Sequence, residues 1–208
     1  MGLPLAKVSL DHLSDEELIQ RFNAGEGRAL ETLLEKYRRP LYNFIYRSVR
    51  DKAMAEDLLQ DTFIRVIQRS GDFKGESKFA TWLYTIARNL CIDTSRKMVF
   101  RRHKSLDAPT VRDGDDGPAL VERIAGRPAV DREAIATQLQ TQISQAVEAL
   151  PEEQREVFLL REVANLPFKE IAEMMQVPEN TVKSRMRYAL ERLQEALAEY
   201  EDYAQALK

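Results

Sequence analysis

One face of the helix predicted for residues 55–69 carries two carboxylates, an amide and an isoleucine at spacings of i, i+3, i+4 and i+7: Asp57, Gln60, Asp61 and Ile64. The predicted inward stripe of this helix is Leu59, Phe63, Val66 and Ile67. Paired carboxylates could perform acid–base or metal chemistry, but no third ligand or nucleophile lies near them in the sequence. An isoleucine among polar groups is typical of a surface that docks on a partner protein, although an ordinary exposed face with one stray apolar residue remains the alternative.

Aromatic and basic residues interleave around a short loop in residues 71–97. Phe73 and Phe79 bracket the loop, and the candidate DNA contacts between and after them are Lys74, Gly75, Ser77, Lys78, Arg88, Asn89 and Arg96. A base taken out of the DNA stack needs an aromatic surface, and its phosphate needs a cation. Stacking contributes about 1–3 kcal/mol per base, which is comparable with the few kcal/mol that base flipping costs. The segment therefore indicates single-stranded DNA binding.

Trp82 and Cys91 are instead expected in the core, Trp82 on a stripe with Phe79, Leu83, Ile86 and Leu90.

Residues 166–193 predict two helices joined by a short turn at 176–179, the arrangement of a helix-turn-helix. On the second helix the residues expected to pack inward are Val182, Met186, Ala189, Leu190 and Leu193. The opposite face and its flanks can donate to phosphates and to base edges in the major groove: Asn180, Thr181, Lys183, Ser184, Arg185, Arg187 and Tyr188. A solvated amphipathic helix in an ordinary bundle is the alternative, and the joint occurrence of the turn and the basic face favours DNA binding.

The elements that must position these residues are predicted from helical periodicity, which runs through residues 10–98 and returns in residues 135–198. Ser14 and Glu17 form a predicted capping box, residues 24–27 a turn, and Pro40 is expected to bend or interrupt the helix that follows. Residues 99–134 lose the periodicity and are rich in glycine, proline and charge. We therefore predict an all-α fold with two small helical domains, 10–98 and 135–198, joined by a flexible linker and followed by a tail at 199–208.

Composition restricts the possible functions further. The chain has 208 residues, 44% of them apolar, and a net charge of −3. Basic stretches at 88–104 and 183–187 are separated by an acidic stretch, so the overall charge does not exclude nucleic-acid binding. Cys91, His12 and His103 are too few for a Cys/His metal cluster, and a single cysteine cannot form an intramolecular disulfide. No signal peptide or apolar run of roughly 20 residues is present. We expect a cytoplasmic protein with no cofactor and no direct membrane insertion.

At these three segments the chain resembles the extracytoplasmic-function type of bacterial sigma factor, the small two-domain class of transcription initiation factors. Residues 55–63, AEDLLQDTF, resemble the polymerase-binding helix of the family. Residues 73–89, FKGESKFATWLYTIARN, resemble its promoter-melting segment, and residues 150–162, LPEEQREVFLLRE, with the helix-turn-helix resemble its second domain. The resemblance covers about residues 12–98 and 135–198, and the three motifs in this order are highly specific.

This resemblance implies a protein that binds core RNA polymerase and directs it to promoters, without catalysis or a small-molecule substrate of its own. Asp57, Gln60, Asp61 and Ile64 would meet the clamp helices of polymerase, and the linker would thread toward the RNA exit path. The loop from Phe73 to Phe79, with Arg88, Asn89 and Arg96, would hold the melted −10 element. The basic face at residues 180–188 would read the −35 element as duplex. An anti-sigma protein would clamp the apolar surfaces between the two domains.

Two features depart from the family pattern. Pro178 stands where the family often has a hydroxyl or another capping residue, so the start of the recognition helix is expected to shift by about one residue. The tail beyond Leu197 extends past the usual end. Two other functions are alternatives to the sigma factor. A stand-alone helix-turn-helix regulator leaves residues 55–79 unused, and a hydrolase or nuclease built on the carboxylates would need a metal.

Overall fold

The computed structural model describes residue 10 and residues 12–104 and 130–198, with side chains described to residue 98 and from residue 138. Every regular element in these ranges is helical, which confirms the predicted all-α fold. The α-helices, in chain order, are α1 Asp15–Asn23, α2 Gly27–Val49, α3 Lys52–Arg69, α4 Phe79–Lys104, α5 Val130–Ala149, α6 Glu152–Glu162, α7 Phe168–Met175 and α8 Glu179–Leu197, and a short 3₁₀ turn, Ser70–Asp72, follows α3.

The predicted capping box at the start of α1 is present. The Glu17 backbone N–H donates to the Ser14 hydroxyl at 3.2 Å, and the Ser14 N–H donates to the Glu17 carboxylate at 2.8 Å. The backbone N–H of Ser14 holds the pKa of the Glu17 carboxyl below its ordinary value. After α1 the chain turns through Gly25, whose φ of +100° suits glycine, and α2 begins at Gly27.

Pro40 lies inside α2, which runs without interruption from Gly27 to Val49, so the expectation of a possible break there is wrong. A proline in a helix interior removes one backbone hydrogen bond and crowds the preceding turn. Buried residues on both sides of it, Leu33, Leu41 and Phe44, pack into the core and keep the helix continuous. Packing of an amphipathic face commonly outweighs local propensity in this way.

The first half of the chain packs α2 between α1, α3 and α4. Phe44 and Tyr84 meet edge to face in its core, with ring centroids 5.3 Å apart. In the second half α6 and α7 both pack on α8. Arg155 is buried there and donates to the carbonyls of Glu148 at 3.2 Å and Leu150 at 3.1 Å, so it satisfies orphan carbonyl groups at the end of α5.

Residues at both ends of the range predicted as a linker, 99–134, are described by the structure. Helix α4 continues to Lys104 and α5 begins at Val130, so both ends of the predicted linker are helical. Residues 105–129 and the tail at 199–208 lie outside the described residues. The two halves touch through α2 with α6 and through α4 with α7. None of the described helices is long and apolar enough to cross a membrane.

Candidate interaction surfaces

The outer face of α3 carries Asp57, Gln60, Asp61 and Ile64, all exposed. The inward side consists of Ala55, Leu58, Thr62 and Val66, which differs from the predicted stripe. Ile67 was expected inside and is 47% exposed, close to the 49% of Ile64 three residues earlier. The helix is rotated relative to the prediction, so that Leu59 and Phe63 are only half-buried at its flank.

Two local hydrogen bonds stabilise this helix. Asp51 accepts a hydrogen bond from the Met54 backbone N–H at 2.8 Å, so it caps the first turn of α3. The buried Thr62 hydroxyl donates to the Leu58 carbonyl at 2.6 Å, so its polar group is satisfied on the inward side. The outer face of α3 presents two acids and two isoleucines, while its first turn and its inward hydroxyl are hydrogen-bonded locally.

The loop between the 3₁₀ turn and α4 is anchored to α1 at both ends. The Asn23 side-chain amide donates to the Ser70 carbonyl at 2.9 Å, and the Phe79 backbone N–H donates to the Glu16 carboxylate at 3.1 Å. The Glu16 carboxylate thereby sits at the N-terminus of α4, where the helix dipole favours negative charge. Between these anchors the backbone takes a φ of +74° at Gly75, and the candidate residues from Lys74 to Lys78 are exposed.

Phe79 is fully buried, which corrects the prediction that both bracketing rings offer a stacking surface. Its ring centroid lies 5.6 Å from that of Tyr37 and 5.8 Å from those of Phe73 and Trp82. Phe79 is the first residue of α4, and the same aromatic contacts that fix this helix also cover the ring. Phe73 stays half-buried at the rim of the cluster, and Trp82 is half-buried rather than fully in the core.

Among the candidates on α4, Asn89 and Arg96 are exposed, whereas Arg88 is paired. Its guanidinium Nε donates to the Glu156 carboxylate at 2.7 Å. Cys91 is buried, as predicted, and burial raises the pKa of its thiol to about 12. The thiol is therefore a packed neutral group.

The helix-turn-helix is formed by α7 and α8. Helix α7 ends at Met175, and its C-cap residue Gln176 has left-handed backbone, with φ +56° and ψ +44°. Helix α8 begins at Glu179, after Pro178. Pro178, with its φ of −58°, occupies the N-cap position without a side-chain cap. The inward face of α8 was predicted correctly for Val182, Met186, Ala189 and Leu193. Leu190 was expected there and is instead exposed, because α6 and α7 cover only part of the predicted stripe.

The candidate donors on α8 differ in their surroundings. Asn180, Lys183, Ser184, Arg187 and Tyr188 are exposed, and Thr181 is half-buried. Lys183 pairs with Glu179 at 2.7 Å, Arg187 pairs with Glu191 at 3.7 Å, and the Arg187 guanidinium lies 4.8 Å from the centre of the Tyr188 ring.

Arg185 is held differently from the other cations of α8. It pairs with Glu153 of α6 at 2.6 Å and is largely covered. The structure therefore brings Lys183 and Arg187 to the outer surface, while Arg185 links α8 to α6. The sequence analysis missed two exposed residues, Ile67 and Leu190, and also Glu153, because a partner on another helix leaves no local signal. Glu179 and Glu191 were missed as well, although each lies four residues from its cation on the same helix.

Comparisons with known proteins match both halves of the chain. The profile of sigma-70 region 2 matches residues 33–100, and that of sigma-70 region 4 matches residues 140–193. The RNA polymerase sigma-H factor of Pseudomonas aeruginosa is 32% identical over 186 residues, which cover 88% of this chain and 93% of that protein. The ECF RNA polymerase sigma factor SigW of Bacillus subtilis is 31% identical over 180 residues, covering 86% and 94%. The chain belongs to the extracytoplasmic-function (ECF) sigma factors.

The fold of this ECF sigma factor is shared by solved structures. The sigma factor RpoE in complex with the anti-sigma factor NepR, from Bartonella quintana, aligns with a TM-score of 0.62 at 24% identity, covering 79% of this chain and 95% of that chain. CnrH, in complex with the cytosolic domain of CnrY, aligns with a TM-score of 0.60 at 19% identity, covering 90% and 98%.

Membership in this family makes the protein a transcription initiation factor that binds core RNA polymerase and directs it to promoters. The region 2 match extends over most of α2 and over α3 and most of α4, which a stand-alone helix-turn-helix regulator does not need. This match therefore favours the sigma factor over that alternative. The family is one of initiation factors and not of enzymes.

Proposed function

We propose that three surfaces of this sigma factor divide the work of initiation. The outer face of α3 docks on the clamp helices of core polymerase, the loop at 73–78 with α4 holds the melted −10 strand, and the outer face of α8 reads the −35 element as duplex. The observation that carries the proposal is that α3 and α8 expose faces of opposite chemistry, one acidic and apolar and the other cationic. Helices with such different faces suit different partners.

On α3 the apolar part of the docking surface is larger than the sequence indicated. Ile64 and Ile67 are both about half exposed, and Asp57 and Asp61 lie exposed on the same helix. Apolar side chains of this size favour binding when a partner covers them, while the carboxylates add orientation through charge. We assign Ile67 to this surface together with Asp57, Gln60, Asp61 and Ile64.

At the loop, we assign base stacking to Phe73 alone, because Phe79 is buried. The Phe73 ring leans on those of Phe79 and Trp82, with centroids 5.8 and 5.5 Å away, so it rests on a rigid aromatic support. Lys74 and Lys78 are exposed on either side of Gly75 and Ser77, within reach of a strand that approaches Phe73. Asn89 and Arg96 continue this surface along α4.

On α8 the exposed ion pairs within the helix are weak and can yield to DNA. Pairs spaced i, i+4 on a solvated helix contribute about 0.3–0.5 kcal/mol, so phosphate oxygens can displace Glu179 from Lys183 and Glu191 from Arg187. Asn180, Ser184 and Tyr188 lie exposed beside these cations and can read base edges. Thr181 is half-buried at the start of this surface, and Arg185 positions the helix through Glu153.

In this proposal the chain forms and breaks no covalent bonds, needs no cofactor and acts in the cytoplasm, where RNA polymerase works. We also propose control by an anti-sigma protein. Of the two structurally similar proteins, the sigma factor RpoE was solved in complex with the anti-sigma factor NepR, and CnrH was solved in complex with the cytosolic domain of CnrY. The apolar surfaces between the two halves are the proposed site for such a protein.

Run-off transcription with purified core polymerase on a promoter library tests the assignment of the α3 surface. We expect promoter-specific transcripts with the wild-type chain and their loss when Asp57 and Asp61 are both changed to lysine. Glu56→Lys is the matched control, because it reverses a charge about 100° around the same helix. Equal transcription by the double variant and the control would remove the docking assignment, and tight specific binding of DNA by the chain alone would favour the stand-alone regulator.

A further inference from the structure

Polar side chains of α4 are joined to carboxylates of the second half. The Arg88 guanidinium contacts both oxygens of the Glu156 carboxylate, at 2.7 and 3.5 Å, and the two side chains are only 17% and 21% exposed. Two turns earlier on α4, the Thr81 hydroxyl donates to the carboxylate of Glu170 on α7. Charge-assisted, two-point contacts of this kind are directional, so they set how the two halves meet.

Arginines at the end of α2 make a second set of contacts with the end of α5. Arg47, which is almost fully buried, donates to the Ser144 hydroxyl at 3.1 Å, and its Nη1 lies 3.9 Å from the Glu148 carboxylate. Arg50 donates to the Glu148 carbonyl, a group at a helix C-terminus where positive charge is favourable. These contacts bring cations of the first half against acceptors of the second.

The interface between the two halves is polar, and a buried donor in it makes no hydrogen bond within the part of the chain that the structure describes. Both features suit a contact that opens. Among the described residues, Arg47 Nη1 has no hydrogen-bond partner, and burial lowers the pKa of its guanidinium. A cavity lined by residues of both halves, among them Phe44, Cys91 and Leu159, interrupts the packing. Buried charges and incomplete packing reduce the net gain from contact, so the halves are held by directional bonds more than by apolar burial.

We propose that Glu156 and Glu170 form an intramolecular clasp that holds the free sigma factor closed and covers Arg88. In the closed form the Glu156 carboxylate binds the Arg88 guanidinium, the group that the −10 strand would otherwise bind. A carboxylate of the same chain therefore competes with a DNA phosphate. The clasp rests on the proposed function of α4 in holding the −10 strand and on the contact with that strand that the family resemblance implies for Arg88. Opening the contact between α4 and the second half then becomes a step before promoter binding.

Distance measurements between spin labels on the full-length chain test the clasp. Cysteines replacing Gln20 on α1 and Gln194 on α8, both exposed, carry the labels in a Cys91→Ser background. We expect one narrow distance distribution for the free chain and a longer, broader one for Glu156→Arg, which places like charges together. Glu162→Arg, an exposed position on the same helix, is the matched control and should keep the narrow distribution. A broad distribution in the parent chain, or no change in Glu156→Arg, would overturn the clasp.

Exchange of the charges of Arg88 and Glu156 distinguishes opening of the interface from misfolding of the chain. The double variant Arg88→Glu with Glu156→Arg restores opposite charges and should recover the narrow distribution, and failure to recover it would count against the clasp. Binding of a fluorescent single-stranded DNA of mixed sequence gives a second readout. Glu156→Gln should bind it roughly tenfold more tightly than Glu162→Gln, which corresponds to about 1.4 kcal/mol. Equal affinities would refute competition for Arg88.

The two hypotheses fail in different measurements. A label-to-label distance distribution that is narrow in the free chain and broad in Glu156→Arg would support the clasp. If the wild-type chain also gave no run-off transcription, the clasp would remain and the proposed function would be refuted. Promoter-specific transcription by a chain whose free form is already open would support the proposed function and refute the clasp.

Discussion

Truncation of the exposed isoleucines on α3 to alanine should weaken polymerase binding while the chain stays folded. Ile64 and Ile67 are 49% and 47% exposed, so neither contributes a full side chain to the core. Alanine has a higher helix propensity than isoleucine by a few tenths of a kcal/mol. The buried half of each isoleucine stabilises the fold by about 1 kcal/mol, which the helix propensity of alanine only partly offsets, so we expect a small fall in the midpoint of urea unfolding in each single variant.

The expected loss of affinity follows from the apolar area of the two isoleucines that is exposed in the free protein and would be covered by polymerase. Complete burial of an isoleucine side chain contributes about 1.5–3 kcal/mol, and about half of each side chain is still exposed in the free protein. Each substitution should therefore cost about 1 kcal/mol of binding free energy, which is about fivefold in Kd. The double variant should lose roughly 25-fold if the two side chains act independently.

Fluorescence anisotropy of the labelled sigma factor titrated with core polymerase measures this effect. Arg65→Ala is the control, because Arg65 is exposed on α3 about 100° around the helix from Ile64. A Kd unchanged within twofold in the double variant, with the variant folded under the conditions of the assay, would refute the assignment of this face to polymerase. Equal losses in the variants and the control would show that the effect is not specific to the isoleucines.

Three further predictions concern the core, the loop and the recognition helix. With a pKa of about 12, the Cys91 thiol should react with a thiol reagent at pH 8 about a thousandfold more slowly than an ordinary cysteine, and quick native-state labelling would contradict its burial. Because this pKa is raised on folding, its contribution to stability is complete below about pH 8 and is lost as pH rises toward 12. Phe79→Ala should lower the free energy of unfolding by about 3–5 kcal/mol, while Phe73→Ala should cost less stability but reduce promoter opening in permanganate footprinting. Promoter opening by the Phe73→Ala variant at the wild-type level would refute the stacking role of Phe73. Arg187→Ala should reduce the salt slope of holoenzyme binding to −35 duplex by about one, and an unaltered slope would exclude a phosphate contact.

Features that depend on neighbours in the sequence could be predicted from it. The capping box at Ser14 and Glu17, the turn at Gly25, and the helix-turn-helix around Pro178 involve residues a few positions apart. Helical periodicity also distinguished α-helices from strands throughout the described residues. The exposed acidic face of α3 and cationic face of α8 were predicted because charged side chains rarely lie buried without a partner.

The rotation of each helix and the partner of each charge were decided by the tertiary structure. An apolar stripe defines a face only to within about one residue, and the helices packed against it determine which edge is covered. For this reason Ile67 and Leu190 are exposed although both fit the inward pattern, and Phe79 is buried although it borders an exposed loop. Arg88 pairs with a carboxylate 68 residues away, a contact that no local pattern encodes. Local backbone geometry thus makes the helices readable from the sequence, while burial and ion pairing depend on how distant segments pack.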